Sequence, residues 1–127
     1  MSGDVQKVVL LPRFTTFVGA GEYFTAPVNV RRFAEGLISV WRGKASGTGL
    51  DAFQITLQES PDLEIWNDVG SPIVAAANVE ASGTVEFDLE WVRLKAELVL
   101  SSPPPASDPS VSCWAVGNLV PRESPQE

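Results

Sequence analysis

An all-β domain, a sandwich or barrel of about eight short strands, is the fold this sequence predicts. Three observations predict it. Apolar residues alternate with polar ones at a period of two along most of the chain, glycine- and proline-based turn compositions recur between the alternating stretches, and only residues 73–80 suit even a short helix. With 127 residues, one core can form. At this length about two-thirds of the unfolded chain's surface is buried, so residues 1–127 read as a single domain that needs neither metal nor disulfide.

Residues 5–11 and 15–18 read as the opening strands, and residues 23–28 follow the Gly19-Ala20-Gly21 turn. Residues 37–42 form the next strand, with a turn composition at residues 44–49 behind it. Phe53, Ile55 and Leu57 then alternate with Ala52, Gln54, Thr56 and Gln58, which gives a strand with one buried and one wet face. Residues 64–69 lie between the turns Ser60-Pro61-Asp62 and Gly70-Ser71-Pro72. Residues 73–80 fit a short helix or a plain connection. Beyond Ser82-Gly83, Val85, Phe87, Leu89 and Trp91 alternate with Glu86, Asp88 and Glu90. From Val92 the phase inverts: Val92, Leu94, Ala96, Leu98 and Leu100 carry the apolar series, and Arg93, Lys95 and Glu97 the other face. A strand cannot exchange its faces without an interruption, so a bulge, bend or turn is predicted at Trp91-Val92. Residues 111–116 form the last strand. Ahead of it, residues 101–110 hold four prolines, which exclude a central strand and predict a solvated, polyproline-like connector. Residues 1–4 and 121–127 read as loose termini.

Nine basic against sixteen acidic residues give a net charge of −7. That balance opposes attraction to a phosphate backbone and argues against nucleic acid as a partner. Histidine is absent and Cys113 is the lone cysteine. These counts exclude histidine-based acid–base or triad catalysis, Cys-His nucleophiles, structural zinc and disulfide frameworks. Asp51, Asp62, Glu64 and Asp68 have oxygen-ligand chemistry without the spacing of a calcium loop, so no metal or cofactor is expected. The first residues show no basic stretch followed by an apolar one, and no apolar run approaches the roughly 20 residues of a membrane span. The chain therefore reads as made in the cytoplasm, unprocessed and without a membrane partner.

Ser60 and Asp62 sit where their oxygens accept backbone N–H groups inside a hairpin turn, with Trp66 packed under it. The segment is similar to the Asp-box hairpins of sialidases, whose role is structural, although the glycine of that motif is missing and the tryptophan comes one residue early. Of the four tryptophans, three are expected in the core and one at an interface. Trp91 shares a face with Phe87 and Leu89 and is assigned to the core; Trp41 and Trp114 remain open. Arg31-Arg32, the only basic pair, with Arg42 and Lys44 further along, reads as ordinary exposed arginines or as a patch for an acidic partner. Cys113 reads as a buried small hydrophobe.

Phe24-Thr25-Ala26-Pro27-Val28-Asn29-Val30 runs on to Gly36-Leu37-Ile38-Ser39-Val40-Trp41-Arg42-Gly43, then to Gln58-Glu59-Ser60-Pro61-Asp62 with Trp66. Trp91-Val92-Arg93-Leu94-Lys95 and a closing Trp114-Ala115-Val116-Gly117-Asn118-Leu119-Val120-Pro121-Arg122-Glu123 complete the series. In this running order the chain resembles the jelly-roll head decoration, or cement, proteins of tailed bacteriophages. The resemblance implies an antiparallel, jelly-roll-like β-sandwich that forms a homotrimer on the capsid exterior of the virion and bridges subunits of the major capsid protein. Avidity across several capsid subunits would strengthen modest single contacts. No family site maps onto this chain residue by residue, so the interface candidates rest on chemistry: Val5, Val9, Leu11, Arg13, Arg31, Arg32, Trp41, Arg42 and Trp114. Residues 1–13 are nominated as an arm, and the proline-rich loop as a second element, that reach a neighbour by strand addition or docking.

Two other classes compete. A carbohydrate- or receptor-binding module of a phage tail or spike would use an exposed Trp41 or Trp114 as a stacking surface. A hydrolase with paired carboxylates needs no histidine, but no such pair stands out in the sequence.

Overall fold

Phe53, Ile55 and Leu57 on one strand and Leu94, Ala96 and Leu98 on its neighbour turn the same way, and the period-two pattern that places them there organises the molecule. The computed structural model describes residues 5–103 and 105–122. It contains nine strands: β1 (Gln6–Val18), β2 (Gly21–Phe24), β3 (Val28–Asn29), β4 (Phe33–Arg42), β5 (Leu50–Ser60), β6 (Asn67–Val74), β7 (Ala81–Glu86), β8 (Trp91–Leu100) and β9 (Ser110–Pro121). They form two antiparallel sheets, ordered β1-β9-β4-β7 and β2-β8-β5-β6, with β3 also paired to β8. β2 and β3 follow one another along the same edge of β8 and act as one interrupted strand, so the order is that of a jelly roll.

Between the sheets lie Leu10, Leu11, Ile38, Val40, Val111, Cys113 and Ala115 from the first and Phe53, Ile55, Leu57, Val92, Leu94, Ala96 and Leu98 from the second. Each large apolar side chain buried there contributes about 1.5–3 kcal/mol. The break between β2 and β3 leaves no orphan on β8. Thr25 donates its N–H to the Leu94 carbonyl at 3.0 Å, and the Leu94 N–H donates to Thr25 Oγ1 at 2.9 Å.

Several local expectations are corrected. The two opening strands are one, β1, because bulges between Val9 and Leu11 and between Leu11 and Thr15 absorb the irregular stretch. β1 is laddered to β9 from Gln6 onward, so residues 6–13 belong to the sheet and are not a free arm. The expected strand 23–28 is interrupted at residues 25–27. Residues 73–80 form no helix: they end β6 and cross to β7. Gly70-Ser71-Pro72 lies inside β6, an edge strand, where a register shift and the positive φ of Gly70 (69°) accommodate the proline. Ser82-Gly83 lies inside β7, also an edge strand. The phase inversion falls at residues 87–90 and not at Trp91-Val92, because there the chain leaves the first sheet and enters the second. Trp91, expected beside Phe87 in the core, is only half-buried, and none of the four tryptophans joins the core.

The proline-rich connector is also less solvated than expected. Pro109 is fully buried, its carbonyl accepts the Gly19 N–H at 2.9 Å, and Ser101 donates its N–H to the Gly49 carbonyl at 2.8 Å. At the C-terminal side, Pro121 still pairs with Phe33 and Arg122 donates its N–H to the Arg32 carbonyl. Residues 1–4 and 123–127 lie outside the described residues.

The topology sorts the connections to two ends. Val5, the turn 30–32, the hairpin 61–66, the crossing 87–90 and Arg122 gather at one end; residues 19–20, 43–49, 75–80 and 101–109 gather at the other.

Candidate functional site

The outer faces of the two sheets differ in chemistry. On the second sheet the polar outward side chains around the centre are paired with one another, while Val74 and Val99 stay exposed toward one end. The Arg93 guanidinium lies between two rings, 4.1 Å from the centroid of Phe24 and 4.2 Å from that of Trp66, and its Nε donates to Gln58 Oε1 at 2.9 Å. Gln58 Nε2 donates in turn to Asp68 Oδ1 at 2.9 Å, which with nearby Lys95 holds the Asp68 carboxyl below its usual range. Lys95 also pairs with Glu22, and Gln54 Nε2 donates to Glu97 Oε1 at 3.0 Å. The polar groups at its centre satisfy one another.

On the first sheet the outward side chains are mostly apolar, aromatic or unengaged, apart from Thr16 and Ser112, whose hydroxyls hydrogen-bond each other at 3.0 Å. Trp41 on β4 stands opposite Trp114 on β9, and the rings stack with centroids 6.3 Å apart and planes 13° from parallel. Their chain neighbours Val40, Cys113 and Ala115 are core residues, so alternation directs both indoles outward. Facing Trp114, the second bulge of β1 sets Pro12, Arg13 and Phe14 against a single β9 residue. Thr15 Oγ1 donates to the Pro12 carbonyl at 2.6 Å and closes the bulge. The Arg13 guanidinium lies 5.9 Å from the Trp114 ring. Phe14 adopts a left-handed backbone (φ 66°) with its side chain 82% exposed. A left-handed backbone costs a non-glycine residue about 1–2 kcal/mol, and a ring left in water returns none of that through burial.

These groups border a groove of about 460 Å3 on the outer face, lined by Lys7, Val9, Arg13, Glu80, Trp114 and Asn118 among others. A second hollow of about 290 Å3, shared at Arg13 and Trp114, continues it to Phe14 and Trp41. Glu80 is the one carboxylate among its described lining residues.

The interface candidates therefore divide. Val9, Arg13, Trp41 and Trp114 come together on this face. Leu11 also borders the groove but is 6% exposed and belongs to the core, because the first bulge turns both Leu10 and Leu11 inward. Arg42 lies at the end of β4 with its guanidinium turned back on the fold, Nε donating to the Ala75 carbonyl at 2.8 Å and Nη1 to that of Gly43 at 3.2 Å. Val5, Arg31 and Arg32 are exposed at the opposite end of the sandwich. Phe14, Lys7, Glu80 and Asn118 were not singled out by sequence reasoning. The available signal was Leu10-Leu11-Pro12, where two adjacent apolar residues and a proline break the alternation and mark a bulge.

The hairpin 61–66 is held by its own polar groups. Ser60 Oγ accepts the N–H groups of Asp62 and Leu63, and Asp62 Oδ1 accepts those of Glu64 and Ile65. The N–H groups of Ile65 and Glu64 hold the Asp62 carboxyl below its usual range. Trp66 Nε1 donates to the Leu63 carbonyl at 3.2 Å. This leaves Leu63 and Ile65 exposed at the end that also carries Arg31, Arg32 and Arg122. Cys113 lies buried beneath the tryptophan face, and burial pushes its thiol up to about 11.

Comparison with protein-family models and with curated proteins finds no match.

Proposed function

We propose that the chain is a non-enzymatic decoration protein of a tailed-bacteriophage capsid, which sits on the virion exterior as a homotrimer and bridges subunits of the major capsid protein. The observation that supports this reading is the composition of one end of the sandwich. There the start of β1, the end of β9, the cations Arg31 and Arg32, and the exposed apolar pair Leu63 and Ile65 lie together on a jelly-roll frame. Exposed aliphatic side chains beside arginines suit a protein surface, and three copies acting at once turn modest contacts into durable attachment. The rigid Ser60–Asp62 turn presents Leu63 and Ile65 in one conformation, which lowers the entropic cost of docking.

The test is co-sedimentation of the purified protein with phage heads that lack it, alongside light scattering for the solution mass. Wild-type protein is expected to pellet with heads, and a Leu63→Ser, Ile65→Ser double variant to bind about tenfold more weakly or worse. Failure of the folded wild-type protein to bind such heads overturns the reading.

A further inference from the structure

The trough runs along the outer face of the first sheet, away from Arg31, Arg32, Leu63 and Ile65 although its Lys7–Asn118 end adjoins the start of β1, and nothing in the packing of the fold calls for its contents. Its main part, about 460 Å3, falls within the roughly 300–1,000 Å3 of small-molecule sites. Both tryptophans at one end of it are half-buried with their indoles outside the core, and neither indole N–H donates to a described residue. Lys7, Arg13, Ser39, Glu80 and Asn118 likewise form no side-chain hydrogen bond or ion pair with any described residue, whereas the opposite face is paired throughout its centre.

We propose that this trough binds a saccharide chain, with Trp114 and Trp41 as stacking surfaces and Lys7, Arg13, Glu80 and Asn118 as the hydrogen-bonding rim. A sugar ring offers an apolar C–H face and a border of hydroxyls that both donate and accept. The trough offers the matching parts: indole surface for the ring, donors on Lys7 and Arg13, an acceptor on Glu80, and both on Asn118. Its rim sets the cations Lys7 and Arg13 beside Glu80 and Asn118, donors and acceptors together, as a border of hydroxyls requires. The tryptophan-bearing strands β9 and β4 are interior strands with ladder partners on both sides, so a peptide could add as a strand only along the outer edge of β1 and not over the indoles. The exposed Phe14, held at the rim by a strained bulge, extends the apolar surface past the tryptophan pair.

The experiment is an array of immobilised neutral oligosaccharides, followed by titration of retained sugars against tryptophan fluorescence. Wild-type protein is expected to be retained and its emission to shift, with Trp114→Ala weakening binding about tenfold or more. Should Trp114→Ala lose the β-sheet circular dichroism of the parent, a Lys7→Ala, Asn118→Ala double variant on the exposed rim replaces it, with the same expected loss. An array that retains nothing overturns the proposal, as does unchanged sugar binding by the folded variants, or a peptide library that binds at Trp114 while the array stays blank. Head attachment is measured in parallel on the same variants. Sugar binding lost with head binding kept supports the saccharide site; a blank array with head binding kept refutes this site and leaves the capsid reading standing.

Discussion

Pro105 packs directly against the α-carbon of Gly49: a β-carbon on that glycine would come within 2.7 Å of both Cβ and Cγ of the proline. Gly49 also has φ at 90°, which side-chain-bearing residues rarely adopt. The connector between β8 and β9 is thus seated on the β4–β5 loop. Gly49→Ala is expected to destabilise the protein by about 1–3 kcal/mol, read as a lower urea midpoint at unchanged slope.

Ser60 is fully buried, and its hydroxyl accepts two backbone N–H groups of the hairpin turn. Ser60→Ala leaves those donors without that partner and should cost about 1–3 kcal/mol. Ser60→Thr retains the oxygen and should recover part of the loss.

Asp62 binds its proton more weakly folded than unfolded, since the N–H groups of Ile65 and Glu64 favour the carboxylate. The unfolded state therefore takes up more protons in acid. The contribution is complete above the ordinary carboxylate pKa of about 4, and falls away as pH drops from there through the lower folded value. Asp68 adds to the same trend. Unfolding curves from pH 6 to pH 2 should show stability declining below about pH 4. Asp62→Asn, which keeps the acceptor and removes the titration, should flatten that decline.

With its thiol raised to about 11 by burial, Cys113 is protonated at neutral pH and shielded by the sheet. Ellman's reagent at pH 8 should label the native protein only at the rate of opening and label the urea-unfolded protein at once. Rapid labelling of the native state would show that the Trp41–Trp114 face opens readily.

Arg93 is flanked by Phe24 and Trp66 and bound to Gln58. Arg93→Ala removes both ring contacts and should lower stability by roughly 1–2 kcal/mol. Arg93→Lys should recover only part of that, since an ammonium cannot lie flat between two rings. Equal stability for all three proteins would refute this.

Residues 53–57 and 92–98 were legible in the sequence because those strands have one side in the core and the other on a polar surface, so alternation reports burial directly. Gly70-Ser71-Pro72 and Ser82-Gly83 misled because glycine and proline read as turns, whereas edge strands tolerate them. The alternation from Val85 to Trp91 ran unbroken through a change of sheet, so pattern alone put the break at Trp91-Val92, beyond residues 87–90 where the chain crosses. The expected three core tryptophans, Trp91 among them, are not found, because Val, Ile, Leu and Phe side chains fill the gap of about 10 Å between the packed sheets and the indoles lie outside it. Of the saccharide trough, Trp41, Trp114, Val9 and Arg13 were named from chemistry. Lys7, Glu80 and Asn118 join them only through the register of three strands and a crossing, information that resides in long-range pairing.

That pairing has a bearing on how the chain is born. Among the described residues β1 has no sheet partner but β9, in a ladder that joins Gln6 to Leu119 and Val18 to Ser110. During translation β1 must wait, its apolar side chains uncovered, until the seven strands that separate it from β9, and then β9 itself, have been made. The first sheet then closes late, around β9 as its last-made interior strand, and folding is slow by the measure of contact separation. In the cell this interval, more than the finished molecule, is where self-association threatens, and a slowed or truncated synthesis would leave β1 exposed to pairing with another nascent copy.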